Sequence, residues 1–267
     1  MLNNITMGQY YPVDSPVHRL DPRTKLVLTI AFIIAVFLVS HPLGYILILG
    51  FTWFAARMAK IPFRMLLKGI RPLRIILIFT FLLNLFFTAG EEVLIQFWII
   101  RITREALKQA VFYSLRLIFL VMGTSLLTLT TSPVALSDAL ELLLTPLKKL
   151  HFPAHELAMM MTIALRFIPT LLDETDKIMK AQMARGADFE SGNLILRAKS
   201  MVPLLVPLFV SAFRRAGDLA MAMESRCYHG GEGRTRFRVL KMTKNDGTAF
   251  LLMGLLISLI LLERIFL

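Results

Sequence analysis

The sequence predicts an all-α integral membrane protein, with about five transmembrane helices and a cytoplasmic or interfacial coupling region of amphipathic helices. Three observations predict it. Of the 267 residues, 56% are hydrophobic and the mean hydropathy is +0.66, above the roughly 45 to 50% apolar content of soluble domains. The apolar residues fall in long runs, as spanning helices require. The 30 Lys+Arg outnumber the 18 Asp+Glu, for a net charge of +12, and the basic residues gather where the positive-inside rule puts cytoplasmic ends.

Residues 1–25 form a polar leader ending in His18-Arg19-Leu20-Asp21-Pro22-Arg23-Thr24-Lys25, a basic flank in which Pro22 suits a turn or a first helical turn. No cleavable signal peptide is expected, because the first apolar run starts only at Leu26 and acts as its own insertion signal. That first span, 26–39, is short against the ~20 residues a crossing needs and is extended by its flanks. Ser40-His41-Pro42 turns the chain into a second span, 43–58. Residues 57–74 carry Arg57, Lys60, Arg64, Lys68, Arg71 and Arg74 with no acid, which places them in the cytoplasm. The third span, 73–89, is interrupted by Thr80, Asn84 and Thr88 and leaves at Gly90-Glu91-Glu92. Residues 93–102 are too short to cross and are expected to lie at the interface. The fourth span, 106–131, contains Arg116 and returns the chain to the cytoplasm at Ser132, with the N-terminus inside.

From 132 to 247 no run is expected to span. Ser132-Pro133 opens an amphipathic helix that stops at Pro146-Leu147-Lys148-Lys149. Pro153 starts a long helix over 155–185, about 45 Å at 1.5 Å per residue. Another helix, 194–226, holds the Pro-broken apolar patch MVPLLVPLFVSAF followed by Arg214-Arg215. Gly230-Gly231-Glu232-Gly233 begins a flexible loop, and 248–262 is the last span, leaving the C-terminus outside. The division is therefore 1–131, 132–247 and 248–267.

Catalytic chemistry has little to stand on. No phosphate-binding loop ending in Gly-Lys-Ser/Thr is present. His151 and His155 have the i, i+4 spacing of a metal pair, but Pro153 lies between them and no third ligand is near. The single Cys227 excludes an internal disulfide. Asn84 and Arg116, at membrane depth, point to helix-to-helix hydrogen bonding more than to a solute path.

Two helix ends stand out. The long helix closes in Ala184-Arg185-Gly186 and the next in Ser225-Arg226-Cys227. Arginine and glycine at a helix end suit the dipole and a left-handed cap. The second copy lacks the glycine, which shifts the weight from capping to what both keep: alanine, three residues, arginine. A small side chain allows close approach, and a guanidinium pairs with carboxylates or carbonyls. Nearby Met179, Met183, Met221 and Met223 add adaptable apolar surface.

HRLDPRTKL (18–26), TLTTSP (128–133), PLKKL (146–150), LRFIPTLLDETDKIMKAQMARGADF (165–189) and VPLLVPLFVSAFRRA (202–216) closely resemble the transmembrane T component of energy-coupling factor (ECF) transporters, of the type shared by several substrate-binding subunits. The resemblance implies a non-catalytic scaffold in the cell membrane that binds no cofactor itself. It implies two cytosolic ABC-type ATPases, which use ATP and Mg, and one small, interchangeable membrane subunit (S subunit) that captures a vitamin or micronutrient. Ala184-Arg185-Gly186 and Ser225-Arg226-Cys227 are then the ATPase-binding triplets; the second departs from Ala-Arg-Gly at its first and third positions. A self-contained permease or channel is the alternative. Nucleic acid is not an expected partner, since membrane topology accounts for the positive charge.

Overall fold

A computed structural model describes residues 10–88, 90, 92–97, 100–150, 152–187, 189, 193–230 and 240–266, with the side chains of 93–101, 148, 194 and 196–198 left out. The expected acid Glu91, His151 and the loop residues Gly231, Glu232 and Gly233 lie outside the described residues. The elements are α1 (Pro22–Leu38), α2 (Pro42–Met58), α3 (Phe63–Lys68), a 3₁₀ turn (Arg71–Leu73), α4 (Arg74–Phe87), β1 (Val93–Phe97), β2 (Ile100–Thr103), α5 (Arg104–Thr130), α6 (Pro133–Leu144), a 3₁₀ segment (Thr145–Leu150), α7 (Ala154–Ala184), α8 (Leu194–Glu224) and α9 (Lys244–Phe266). The chain is a helical membrane protein in which the expected interfacial segment forms a small antiparallel hairpin, β1 with β2.

By length and composition, four described stretches can cross a membrane: Phe63–Phe87, Arg104–Thr130, Ala154–Ala184 and Lys244–Phe266. The third is α7, which continues helically through Pro169 to the length expected of the 155–185 helix and meets the measure of a span by length and composition alone, in a segment where no span is expected. α1 and α2 have 17 residues each, about 25 Å of helix. α1 starts four residues before the apolar run, because Asp21 caps it by accepting from the Arg23 amide and Pro22 occupies its first position, where no N–H is missed.

The described chain divides into two compact units, one drawn from Gly8–Ala139 with Val239–Leu267 and the other from Leu140–Arg238. In the first, α1, α2, α3, α5 and α9 share one apolar core built on residues such as Phe32, Val36, Ile48, Phe119, Met122 and Ile260. Two close approaches hold it. A β-carbon on Gly123 of α5 would sit 2.5 Å from the Phe32 ring of α1, so only glycine lets these helices meet. At the start of α2, Gly44 N–H donates to Glu263 of α9 at 2.8 Å, a carboxylate on a helix N-terminus that His41 leaves without a side-chain cap. α4 lies against α5 but buries no residue.

Polar groups tie the leader to this bundle. The buried carboxylate of Asp246, in the first turn of α9, accepts from the Asp21 amide at 2.9 Å and from the Thr243 amide and hydroxyl at 2.6 and 2.8 Å. Arg23 bridges Asp21 and the Leu240 carbonyl. Lys25, also buried, donates to the carbonyls of His18 and Thr130. His18 Nε2–H donates to the Tyr11 carbonyl at 2.9 Å, and Nδ1 shares a 2.7 Å hydrogen bond with the Ser15 hydroxyl. The leader HRLDPRTK is thus a set of staples across 225 residues of sequence, a role its charge count does not reveal.

Removing Asp246 strands three donors. Asp246→Ala should cost on the order of 2 kcal/mol, read as a lowered melting temperature in detergent, whereas Asp14→Ala, which breaks the exposed pair with Arg19, should leave it unchanged; equal effects would contradict the staple. Burial pushes the His18 imidazole below its usual range, against the opposing effect of the Tyr11 carbonyl. A base lowered in this way stabilises the fold above its unfolded value of about 6.5, and the contribution is lost as pH falls through the lower folded value. Melting temperature should therefore drop on acidification from neutral pH toward pH 5, and His18→Gln should flatten that drop.

Candidate functional site

The second unit carries the two helix ends. α7 and α8 pack together and run in opposite directions: Glu174 of α7 accepts from Ser211 at 2.6 Å and Arg215 at 2.9 Å, while fifteen residues earlier Met159 accepts from the hydroxyl of Tyr228, just beyond α8, at 3.0 Å. Between these contacts Phe167, Leu171, Ala216 and Leu219 line one apolar cleft. The Arg226 end is therefore level with Met159, and the Arg185 end lies 26 residues further along α7, roughly 40 Å away. The two arginines stand at opposite ends of one helix pair.

Both ends close in the same way. At α7, Gly186 N–H donates to Met183 and Ala187 N–H to Gln182, each at 3.0 Å, with Gly186 at φ +89°. At α8, Cys227 N–H donates to Glu224 at 2.9 Å and Tyr228 N–H to Met223 at 3.1 Å, with Cys227 at φ +54°. These are paired Schellman caps. The missing glycine, which weighed against capping at the second triplet, does not prevent the cap: Cys227 takes the left-handed conformation that glycine takes in the first, in spite of its β-carbon. The cap orders both ends because the last carbonyls of each helix otherwise lack donors.

The consequence is a matched display. Arg185 and Arg226 are the last residues before each left-handed turn, and Ala184, Arg185, Gly186, Ser225, Arg226 and Cys227 are all exposed. Neither guanidinium has a hydrogen bond or ion pair among the described residues. One turn back, Ala181 and Ala222 are exposed too, which leaves a small side chain beside each exposed guanidinium. The structure thus gathers each triplet into one cap and sets the two triplets apart. What sequence reading missed is Glu174, whose acidic run in α7 faces Arg215 of the FRRA stretch; charge complementarity between the two helices was the available signal.

Other candidates are engaged elsewhere. Arg116 lies over the Phe37 and Tyr113 rings at 5.3 and 5.6 Å and donates to the Val39 carbonyl at 3.4 Å, joining α5 to the end of α1 as expected. Asn84 instead bonds back to Thr80 of its own helix. His155 pairs with Glu141 at 2.9 Å. Among the described residues no group of three or more His, Cys, Asp or Glu is placed to hold a metal. A cavity of about 380 Å³ in the bundle is walled by apolar side chains, with Lys25, four threonines and Asn245 as its polar lining, and that Lys25 already holds two carbonyls.

The fold and the two capped ends define a multi-pass helical membrane protein that presents a matched pair of cationic helix termini. A family model described as "Cobalt transport protein" matches residues 14–237. Over 266 residues the chain is 53% identical to the energy-coupling factor transporter transmembrane protein EcfT of Clostridium kluyveri, covering 99% of this chain and 98% of that one. It is 57% identical to the protein of the same name from Thermosediminibacter oceani, covering 96% of each, and 49% identical to that of Bacillus subtilis, covering 99% and 100%. The chain belongs to this family of energy-coupling factor transporter transmembrane proteins, and is a membrane component of a transporter.

The left-handed turns set a direct test of the caps. Cys227→Gly should raise stability by about 1 kcal/mol, the cost of holding an L side chain at positive φ, and Gly186→Ala should lower it by a similar amount. Opposite shifts in melting temperature check this; a destabilising Cys227→Gly would contradict the strained cap.

Proposed function

We propose that the chain is the non-catalytic scaffold of an ECF-type importer. It couples ATP hydrolysis by two cytosolic ABC-type ATPases to reorientation of a substrate-binding membrane subunit during vitamin or micronutrient uptake. The observation that carries this reading is the pair of matching caps at opposite ends of α7 and α8, each presenting an exposed arginine. One binding mode, used twice roughly 40 Å apart, suits two ATPases of one kind of fold. ATP and Mg belong to those subunits; nothing is assigned to this chain beyond contact.

Arg185 and Arg226 are the contact residues, each aimed at carboxylates or carbonyl oxygens of an ATPase groove. Ala184 and Ser225 allow close approach, while Gly186 and Cys227 turn the backbone aside so that the arginine leads. The helix pair between them is stiff enough to transmit a push: Ser211 and Arg215 hold Glu174 at its centre. Movement of the two ends by closing ATPases then turns α7 and α8 together. The exposed apolar residues Met201, Val202, Leu205, Val206, Phe209 and Phe213 of α8 fit the membrane subunit that carries cargo. The N-terminus faces the cytoplasm, on the side of the basic 57–74 segment. The permease alternative loses its motive when Arg116 bridges helices and Asn84 bonds within its own.

Arg185→Glu and Arg226→Glu should each release one ATPase from the purified complex and reduce ATP-driven uptake in proteoliposomes at least tenfold, with membrane insertion intact. Normal co-purification and uptake in both variants would reduce the arginines to helix caps. Uptake by the isolated chain would refute the scaffold.

A further inference from the structure

The segment joining α2 to α4 holds six cations, Arg57, Lys60, Arg64, Lys68, Arg71 and Arg74, and no acid. All six are exposed, and none has a hydrogen bond or ion pair to its side chain among the described residues; Asp14 of the leader is within electrostatic range of Lys60. Membrane orientation alone asks for positive charge here and for nothing more. Yet the backbone beneath these cations is built as a shelf. Ile61 and Leu66 are buried, and Phe63, Met65 and Ile70 pack on the core. Gly69 approaches α5 so closely that a β-carbon would lie 2.6 Å from the Ser125 hydroxyl. Successive turns are closed by Ile61 N–H to Ala56, Met65 to Pro62, Gly69 to Leu66 and Ile70 to Leu67. The cations project from an ordered base, so a ligand need not order the backbone on binding.

Large apolar side chains are interleaved with them. Leu67 stands exposed between Arg64 and Lys68, Ile75 follows Arg74 at 79% exposure, and Arg57 stacks on the exposed Trp53 ring at 5.3 Å. Charge beside aromatic and aliphatic groups is the chemistry of the headgroup layer. An acidic protein surface would satisfy the cations and leave Trp53, Leu67 and Ile75 uncovered. We infer that the 57–74 shelf is a preformed site for anionic phospholipid, with Arg64, Lys68 and Arg71 holding the phosphate headgroup and the acyl chains lying along Leu67 and Ile75. This site is separate from the ATPase contacts and does not depend on them.

The full-length chain in detergent, titrated with phosphatidylglycerol or phosphatidylcholine and weighed intact by native mass spectrometry, tests it. The wild type should retain phosphatidylglycerol in preference by on the order of tenfold, and high salt should erase much of that preference. Arg64→Gln/Lys68→Gln/Arg71→Gln should lose it, while Lys177→Gln/Lys180→Gln/Arg214→Gln, altering exposed cations of α7 and α8, should keep it. The salt arm needs no variant and stands if the triple substitution fails to fold. Equal retention of the two lipids by the wild type, or an unchanged preference in the first triple variant, would overturn the inference. So would displacement of the lipid by inorganic phosphate, which marks a free-anion site.

Discussion

A helix leaves its last carbonyls without partners, and how α7 and α8 meet that requirement decides what they display. Both close in a Schellman cap with the backbone at positive φ. The turn carries the following chain away and leaves the preceding arginine at the tip. Were either helix to fray or run on, its arginine would lie on a helix flank. The cap is therefore the condition for the proposed contact. That Cys227 adopts it against its own steric preference makes the equivalence of the two ends a property of the fold and not of the glycine.

The remaining structure sets these ends at a fixed separation. Within the pair, Glu174 bonded to Ser211 and Arg215 and the Tyr228–Met159 contact determine the register, and register determines how far apart the tips stand. In the bundle, stiffness comes from a different device: small residues where helices touch, as at Gly123, and polar staples at the buried Asp246 and Lys25 and the half-buried Arg23. Each staple joins segments distant in sequence, which suits a low-dielectric setting where an unpaired polar group is costly.

Much of this was legible in the residues. Apolar runs located α1, α2, α4, α5 and α9 to within a few residues, because a helix in lipid must be apolar over most of its length. The arginines were legible as a repeated pattern. The cap at Cys227 was not, since cysteine gives no signal for positive φ, and its absence of glycine pointed the wrong way. Nor was the hairpin at 93–103, whose short apolar run reads the same as an interfacial helix. The Asp21–Asp246 staple joins residues 225 positions apart, and periodicity carries no information about such pairs.

The central claim is that two matched helix tips each hold one ATPase. A photo-cross-linking amino acid placed at both 185 and 226 in the assembled complex, followed by mass determination of the denatured products, tests it most directly. Chains joined to two ATPase subunits are the predicted product, with single-site variants joined to one. Products that never exceed one ATPase, or adducts formed only within this chain or with lipid, would contradict it.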